Sequence, residues 1–263
     1  MTTEQAEPCE LLEWDTNFFG FRIARVRGDA LTPERVKEIH AWCERHRVHC
    51  LYFLSRSDDA ATTRLAEDNG FRLVDIRVTL AYKACGEGNV ALPARANNGI
   101  TVRRARPDDV PRLQAMARGL YRDTRFFYDA NFPIHLSQSL YETWIRLSCE
   151  GYADAVFVAV SDDLPVGYVS CHLNKAERAG RIGLVGVGNS SQGHGVGQAL
   201  IFTALAWLRQ EGAKEITVVT QGRNCAAQRL YQRCGFLTQE VRLWYHKWYT
   251  LPGDPHEQLS RAL

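Results

Sequence analysis

Charge of one sign is the first thing this sequence lacks. Its 32 Lys and Arg nearly cancel its 30 Asp and Glu, leaving a formal net charge of +2 across 263 residues. That balance argues against a protein that grips nucleic acid or an anionic membrane surface. No apolar run is long enough to span a bilayer, and the first residues, Met1 to Pro8, lack the pattern of a secretory signal. A cytoplasmic protein with neither nucleic acid nor membrane as partner is the expectation. The eight cysteines form no Cys-x-x-Cys pair, so reduced thiols are the simplest reading. Cys43, His46, His49 and Cys50 are zinc-ligand types, yet nothing else in the chain pairs with them as ligands do, and no metal is expected. The rest is 45% hydrophobic and 24% charged, an ordinary globular composition with enough chain for one or two domains.

Against these absences stands Gln192-Gly-His-Gly-Val-Gly197. It lies between an apolar run, Arg181 to Val187, and a stretch in which Leu200, Ile201, Ala204, Leu205 and Leu208 recur at helical spacing. A glycine-rich turn opening a helix points several backbone N–H groups at one spot, where the helix dipole adds partial positive charge. Gln192, Gly193, His194, Gly195, Val196 and Gly197 are therefore candidates to cradle a phosphate or pyrophosphate. No Gly-Lys-Ser/Thr follows, so this is not a P-loop, and the glycine spacing is not that of the dinucleotide fingerprint. A tight turn whose glycines serve only backbone angles is the plain alternative.

From residue 98 onward strands and helices alternate. Strands are expected at Ile100–Arg104, Ala155–Val160, Val166–Leu173, through Val187, at Glu215–Thr220, at Phe236–Val241 and near Leu243–Tyr249. Helices are expected at Pro107–Leu120, Ile134–Glu150, from His194, and at Cys225–Cys234. Helices interrupting strands in this way imply an α/β fold. Residues 84–99 show no apolar period and read as a linker. Before it, Arg64-Leu65, Gly70-Phe71 and Ile76-Arg-Val78 match Arg229-Leu230, Gly235-Phe236 and Val241-Arg-Leu243 at one constant offset. The N-terminal part thus reads as a partial copy of the C-terminal half-fold. Ala66 falls where the second copy has Tyr231, and no glycine turn falls opposite Gln192–Gly197, so the first copy lacks the chemistry.

The pattern Gln192-x-x-Gly195-x-Gly197 resembles the acyl-CoA signature of the GCN5-related N-acetyltransferases, the GNAT superfamily. Asn224-x-x-Ala227-x-x-x-Tyr231 followed by Gly235-Phe236 resembles the second acyl-CoA motif of that family. The order of elements also matches. The resemblance implies a GNAT acyltransferase fold with a mixed, splayed central sheet, preceded by a partial GNAT-like N-terminal domain. The implied divisions are 1–97 for that domain and the linker, 98–250 for the acetyltransferase domain, and 251–263 for a C-terminal tail. It implies acetyl-CoA as acyl donor, its pyrophosphate in the 192–197 turn and its pantetheine arm on the backbone of Val185 and Val187. Asn224 is implied to contact that arm, with Ala227 leaving room. Tyr231 is implied to lie beside the sulfur as the general acid. The plain readings are a packed aromatic for Tyr231 and a simple central strand for Arg181–Val187. That strand holds no acidic residue, so no general base is evident; His172, directly or with Asn174 through a water, is one option, and a solvated strand face is the other.

A further resemblance covers nearly the whole chain. Trp14-Asp-Thr-Asn-Phe-Phe-Gly20, Arg125-Phe126, Gly167-Tyr-Val-Ser170 and Val219–Ala227 are similar to the bacterial TDP-fucosamine acetyltransferases. These act on the 4-amino group of a dTDP-4-amino-4,6-dideoxyhexose (the dideoxygalactose in fucosamine) in surface-polysaccharide synthesis. The implied acceptor is a nucleotide-linked amino sugar, with Arg125 and Tyr128 as contacts, since arginine forks suit phosphates and aromatic faces suit bases and sugar rings. For Phe126 and Phe132 a core role is the better reading. The loop Phe127–Phe132 and residues 251–263 depart from that group and leave the sugar open. An antibiotic amine, a polyamine, a peptide N-terminus, or a non-catalytic acyl-CoA-binding module are the rivals. The aromatic run Trp244–Tyr249 fits either a homodimer face or packing against the first copy.

Overall fold

The computed structural model describes residues 7–83 and 99–250. The stretch read as a linker falls almost wholly on 84–98, and the tail on 251–263; both lie outside the described residues.

The elements follow in the order β1 (Cys9–Leu11), α1 (Glu13–Phe19), β2 (Ile23–Val26), α2 (Pro33–Arg45), β3 (Cys50–Arg56), α3 (Ala60–Asp68), β4 (Arg72–Lys83), β5 (Thr101–Arg104), α4 (Val110–Leu120), α5 (Arg125–Tyr128), α6 (Ile134–Leu147), β6 (Ala155–Ser161), β7 (Leu164–Asn174), β8 (Ala179–Val187), α7 (Val196–Gln210), β9 (Glu215–Gln221), α8 (Cys225–Arg233) and β10 (Leu237–Trp248). The departures from the sequence reading include a later start for α4, at Val110, an earlier end for α6, at Leu147, an unexpected short helix α5, and two more further along the chain. The helix after the glycine turn begins at Val196 rather than His194, because Gly193 and Gly195 hold positive φ. The two last strands are one, β10, since nothing between Val241 and Leu243 breaks an extended backbone.

The chain forms two compact units. Among the described residues, unit 1 draws on 7–77, 124–136 and 241–250, and unit 2 on 78–83, 99–123 and 137–240. In unit 1 the strand order is β1-β2-β3-β10, with β3 antiparallel to β10 from Cys50↔Trp248 to Arg56↔Arg242. The buried face of α2 (Val36, Ile39, Trp42, Cys43) joins Leu51 and Phe53 of β3 and Tyr245 of β10 in one core. In unit 2 the order is β4-β9-β8-β7-β6-β5. The predicted apolar stripe of α7, Leu200, Ile201, Ala204, Leu205 and Leu208, is wholly buried in that core.

The repeat seen in the sequence is a repeat of structure. One offset carries β3 onto β9, α3 onto α8 and β4 onto β10, end to end. The capping chemistry repeats too. Asp59 Oδ1 accepts from Thr62 N at 3.0 Å, and Asn224 Oδ1 accepts from Ala227 N at 3.0 Å, at the matching helix starts. Gly70 and Gly235, each with positive φ, end the matching helices.

Candidate active site

The site of interest is a cleft of about 520 Å³ in unit 2. One wall is the end of β8. This strand pairs in parallel with β9 only from Ala179↔Glu215 to Ile182↔Val218, although β8 runs on to Val187 and β9 to Gln221. Past Ile182 the two strands separate, and Val185, Gly186 and Val187 line the opening. This is a splayed sheet, with a strand edge exposed for an amide-bearing ligand to pair with. On the other side of β8 the register with β7 shifts between Val169 and Cys171, and there Leu184 N donates to Ser170 Oγ at 2.8 Å. A bulge therefore interrupts β8 next to the cleft.

The second wall is the glycine turn and the start of α7. Gly193 (φ 79°) and Gly195 (φ 82°) occupy the left-handed region, and neither has an atom within 4 Å of where a Cβ would stand. No side chain caps α7. Its first N–H groups are thus left without a side-chain cap, and Gln192, Gly193, Gly195, Val196 and Gly197 line the cleft. Gln192 also braces the loop, its Nε2 donating to Val187 O at 3.1 Å and to Asn189 Oδ1 at 3.3 Å. A Cβ on Gly197 would stand 3.0 Å from Leu230 Cδ2, so this glycine lets α7 approach α8. His194 is exposed and is not part of the lining.

The third wall is α8. Asn224, Ala227, Leu230 and Tyr231 line the cleft from one face of the helix. The Asn224 cap uses Oδ1 and leaves the amide nitrogen available to a ligand. Tyr231 is 5% exposed, and its hydroxyl has no hydrogen-bond partner among the described residues. Burial pushes its phenol well above the ordinary value, and the nearby Cys234 adds to this. It stays a protonated donor at any physiological pH.

Two features of the cleft were not read from the sequence. Leu120 and Asp123 close it at the end of α4, and Asp123 is the one carboxylate in its lining among the described residues. Between them, Tyr121 hydrogen-bonds Tyr168 hydroxyl to hydroxyl at 2.9 Å and stacks on Tyr141 at 4.4 Å. Burial raises the Tyr121 phenol, and so do its neighbours Tyr168 and Tyr231. The only signal in the sequence was Tyr168 within Gly167–Ser170; the partners lie too far off in the chain to be paired by spacing.

The remaining candidates sit elsewhere. His172 of β7 is half-buried, edge-on to Tyr152 at 5.4 Å, and its imidazole is held below the ordinary value by burial and then by Arg181. Asn174 is exposed and accepts from Glu177 N at 3.2 Å in the turn after β7. Neither is part of the cleft lining. Arg125 and Tyr128 belong to α5 in unit 1; Tyr128 is 61% exposed, whereas Phe126 and Phe132 are buried. Cys43, His46, His49 and Cys50 separate: His46 stacks on Trp42, His49 Nδ1 accepts from Arg22 N, and Cys50 is sealed inside β3.

Residues 117–236 match the acetyltransferase (GNAT) family. Over 247 residues the chain is 29% identical to a dTDP-fucosamine acetyltransferase of Escherichia coli, covering 90% of this chain and 97% of that protein. It is 27% identical over 252 residues to a mycothiol acetyltransferase of Saccharomonospora viridis, covering 86% and 78%. A GCN5-related N-acetyltransferase from Sphaerobacter thermophilus shares the fold, with a TM-score of 0.64 at 19% identity across 91% of this chain and 76% of that one. The expected GNAT fold is thus borne out. This chain carries an acetyltransferase domain of the GNAT family, whose acyl donor is acetyl-CoA, and is an N-acetyltransferase.

Proposed function

We propose that the enzyme acetylates the amino group of a nucleotide-linked (dTDP) amino-dideoxy sugar by direct transfer, with Tyr231 as general acid. The observation that carries the chemistry is the Tyr231 hydroxyl: buried, unpartnered, and lining the same cleft as the open end of β8 and the uncapped start of α7. The fit to acetyl-CoA rests on those same features. The amides of residues 193–197 suit its pyrophosphate, the unpaired edge at Val185 and Val187 suits the pantetheine amides, and the free amide nitrogen of Asn224 suits a carbonyl of that arm. The thioester it supplies has a thiolate leaving group. As the new nitrogen–carbon bond forms and the carbon–sulfur bond breaks, the Tyr231 hydroxyl hydrogen passes to the departing sulfur, and the surplus proton on the new amide nitrogen leaves through water and restores the phenol. The amine must first lose a proton, and Asp123 is the group proposed to take it, directly or through water. His172 with Asn174 is the alternative route carried from the sequence.

The acceptor assignment rests on likeness to the dTDP-fucosamine acetyltransferase along nearly the full length of both proteins. Likeness to a mycothiol acetyltransferase offers a second acceptor class. Free-thiol release, measured over a panel of dTDP- and UDP-linked amino sugars and the acceptor of the mycothiol enzymes, decides between them. Preference for a dTDP-4-amino sugar, lost in Tyr231→Phe, supports the proposal. Turnover of amines without a nucleotide, with no gain from one, would overturn the acceptor. Unchanged turnover in Tyr231→Phe would overturn the role of the phenol.

A further inference from the structure

Ser170 lies within β7 and is fully buried. The pairing of β8 with β7 changes register around it. Up to Ile182 the pairs run from Asn174↔Ala179 to Cys171↔Ile182, and from Val185 onward they run from Val169↔Val185 to Gly167↔Val187. Two residues of β8, Gly183 and Leu184, therefore face the single Ser170, so β8 holds one extra residue there. The same two residues follow directly on Ile182, the last of β8 to pair with β9. The bulge and the parting of the strands coincide.

The extra residue exchanges the two sides of β8. Before it, Gly180 and Ile182 face the core that holds α7: Ile182 is buried in that core, and a Cβ on Gly180 would stand 3.1 Å from Leu208. After it, Val185 and Val187 take that side, packed against the same core. The backbone direction switches as well. Gly188 N donates to Val166 O at 2.9 Å. By the alternation of an antiparallel ladder, the N–H groups of Val187 and Val185 then point away from β7, toward the side that β9 has left. The Val187 carbonyl shows the same direction, since it accepts from Gln192 Nε2 at 3.1 Å. Without the extra residue, the amides of Leu184 and Gly186 would turn outward in their place.

One hydroxyl holds this arrangement. Leu184 N, on the bulge, donates to Ser170 Oγ at 2.8 Å. Gly183, the other bulge residue, keeps the space for that hydroxyl clear: a Cβ there would stand 2.6 Å from Ser170 Oγ and 2.8 Å from His172 Nε2. Alanine at 170 would leave the Leu184 N–H without this acceptor and the bulge without its cross-strand bond. We propose that Ser170 is a positioning residue for acetyl-CoA: its hydroxyl pins the bulge, and the bulge turns the Val185 and Val187 amides outward to pair with the pantetheine arm. This rests on the cleft being the acetyl-CoA site, as proposed above.

The test is titration calorimetry of coenzyme A into the full chain, beside 3′-phospho-ADP, the part of coenzyme A that carries the diphosphate and lacks the pantetheine arm. Ser170→Ala should weaken coenzyme A about tenfold, the worth of about one or two hydrogen bonds, and leave 3′-phospho-ADP within about twofold. KM for acetyl-CoA should rise by a similar factor with kcat little changed. A folded Ser170→Ala protein that binds coenzyme A as wild type does, or that loses both ligands alike, would overturn the pin. If Asn224→Ala weakens coenzyme A in that same comparison, the cleft reading stands without it. Coenzyme A bound as in wild type by Asn224→Ala and Ser170→Ala alike would overturn the cleft reading, and the pin with it. If Ser170→Ala does not fold, amide hydrogen exchange of the wild type decides. The Leu184 amide should be protected with and without coenzyme A, and the Val185 and Val187 amides only with it. Val185 and Val187 amides already protected in the free protein would overturn the proposal.

Discussion

The ring of Tyr168 lies over Gly186 so closely that a Cβ on the glycine would stand 2.6 Å from the phenol's Cζ. Tyr168 is fully buried and tied to Tyr121 through its hydroxyl, so it cannot swing aside cheaply. Gly186→Ala should therefore cost about 1–3 kcal/mol, the usual penalty for overpacking a tight interior. Because Gly186 lines the cleft, acetyl-CoA affinity should fall as well. A thermal melt with and without acetyl-CoA reads both effects.

Tyr231→Phe should lower kcat by about 10²–10⁴-fold and leave KM for acetyl-CoA within a few-fold. Burial raises the phenol, so wild type should show no loss of its protonated acid below the ordinary tyrosine value of about 10. A pH profile of kcat from 6 to 10 that falls on the alkaline side in wild type but not in Tyr231→Phe would contradict this.

Asn224 caps α8 and is proposed to contact acetyl-CoA, and one substitution separates the two. Asn224→Asp keeps the Oδ1 acceptor for Ala227 N, as Asp59 does for Thr62 N at the matching position. Stability should change by no more than about 0.5 kcal/mol, whereas Asn224→Ala should lose about 1 kcal/mol with the cap. Both should raise KM for acetyl-CoA, since both lack the amide donor. Equal stability of all three proteins would mean that the cap contributes nothing.

Asp123→Asn should lower kcat/KM by about 10²-fold, the lower range for a positioned base, and shift the pH dependence toward alkaline values, where the amine arrives already neutral. Thermal stability should not move, because Asp123 is exposed. A pH profile that keeps its wild-type shape would return attention to His172.

His246 ties stability to pH. Its folded value, about 4, lies below the ordinary 6.5, so the unfolded chain binds a proton that the folded chain refuses between those values. The resulting stability is complete above pH 6.5 and drains away as pH falls toward 4, by up to about 3 kcal/mol. Chemical denaturation of wild type and His246→Gln at pH 7 and pH 4.5 should show the acid loss reduced in the variant.

What the sequence disclosed follows the reach of each interaction. The glycine turn, the buried stripe of α7 and the Asn224–Tyr231 face are set by spacings within one or two helical turns, and all were legible. The repeat was legible because a constant offset needs no knowledge of contacts. The parting of β8 from β9 was expected only through family resemblance, since strand pairing ends where distant chain segments diverge. Tyr121 and Tyr168 meet across 47 positions, and Asp129 and His246 across 117, which no local pattern reports.

The path of the chain has a further consequence. β4 begins in unit 1 and continues into unit 2 as the strand beside β9, and β10 begins in unit 2 and continues into unit 1 as the strand beside β3. During synthesis, the N-terminal repeat must therefore wait with β3 uncovered until residues 242–248 leave the ribosome. Excising residues 1–83 would not liberate a minimal catalyst either, because β9 would lose its neighbour and present a raw edge.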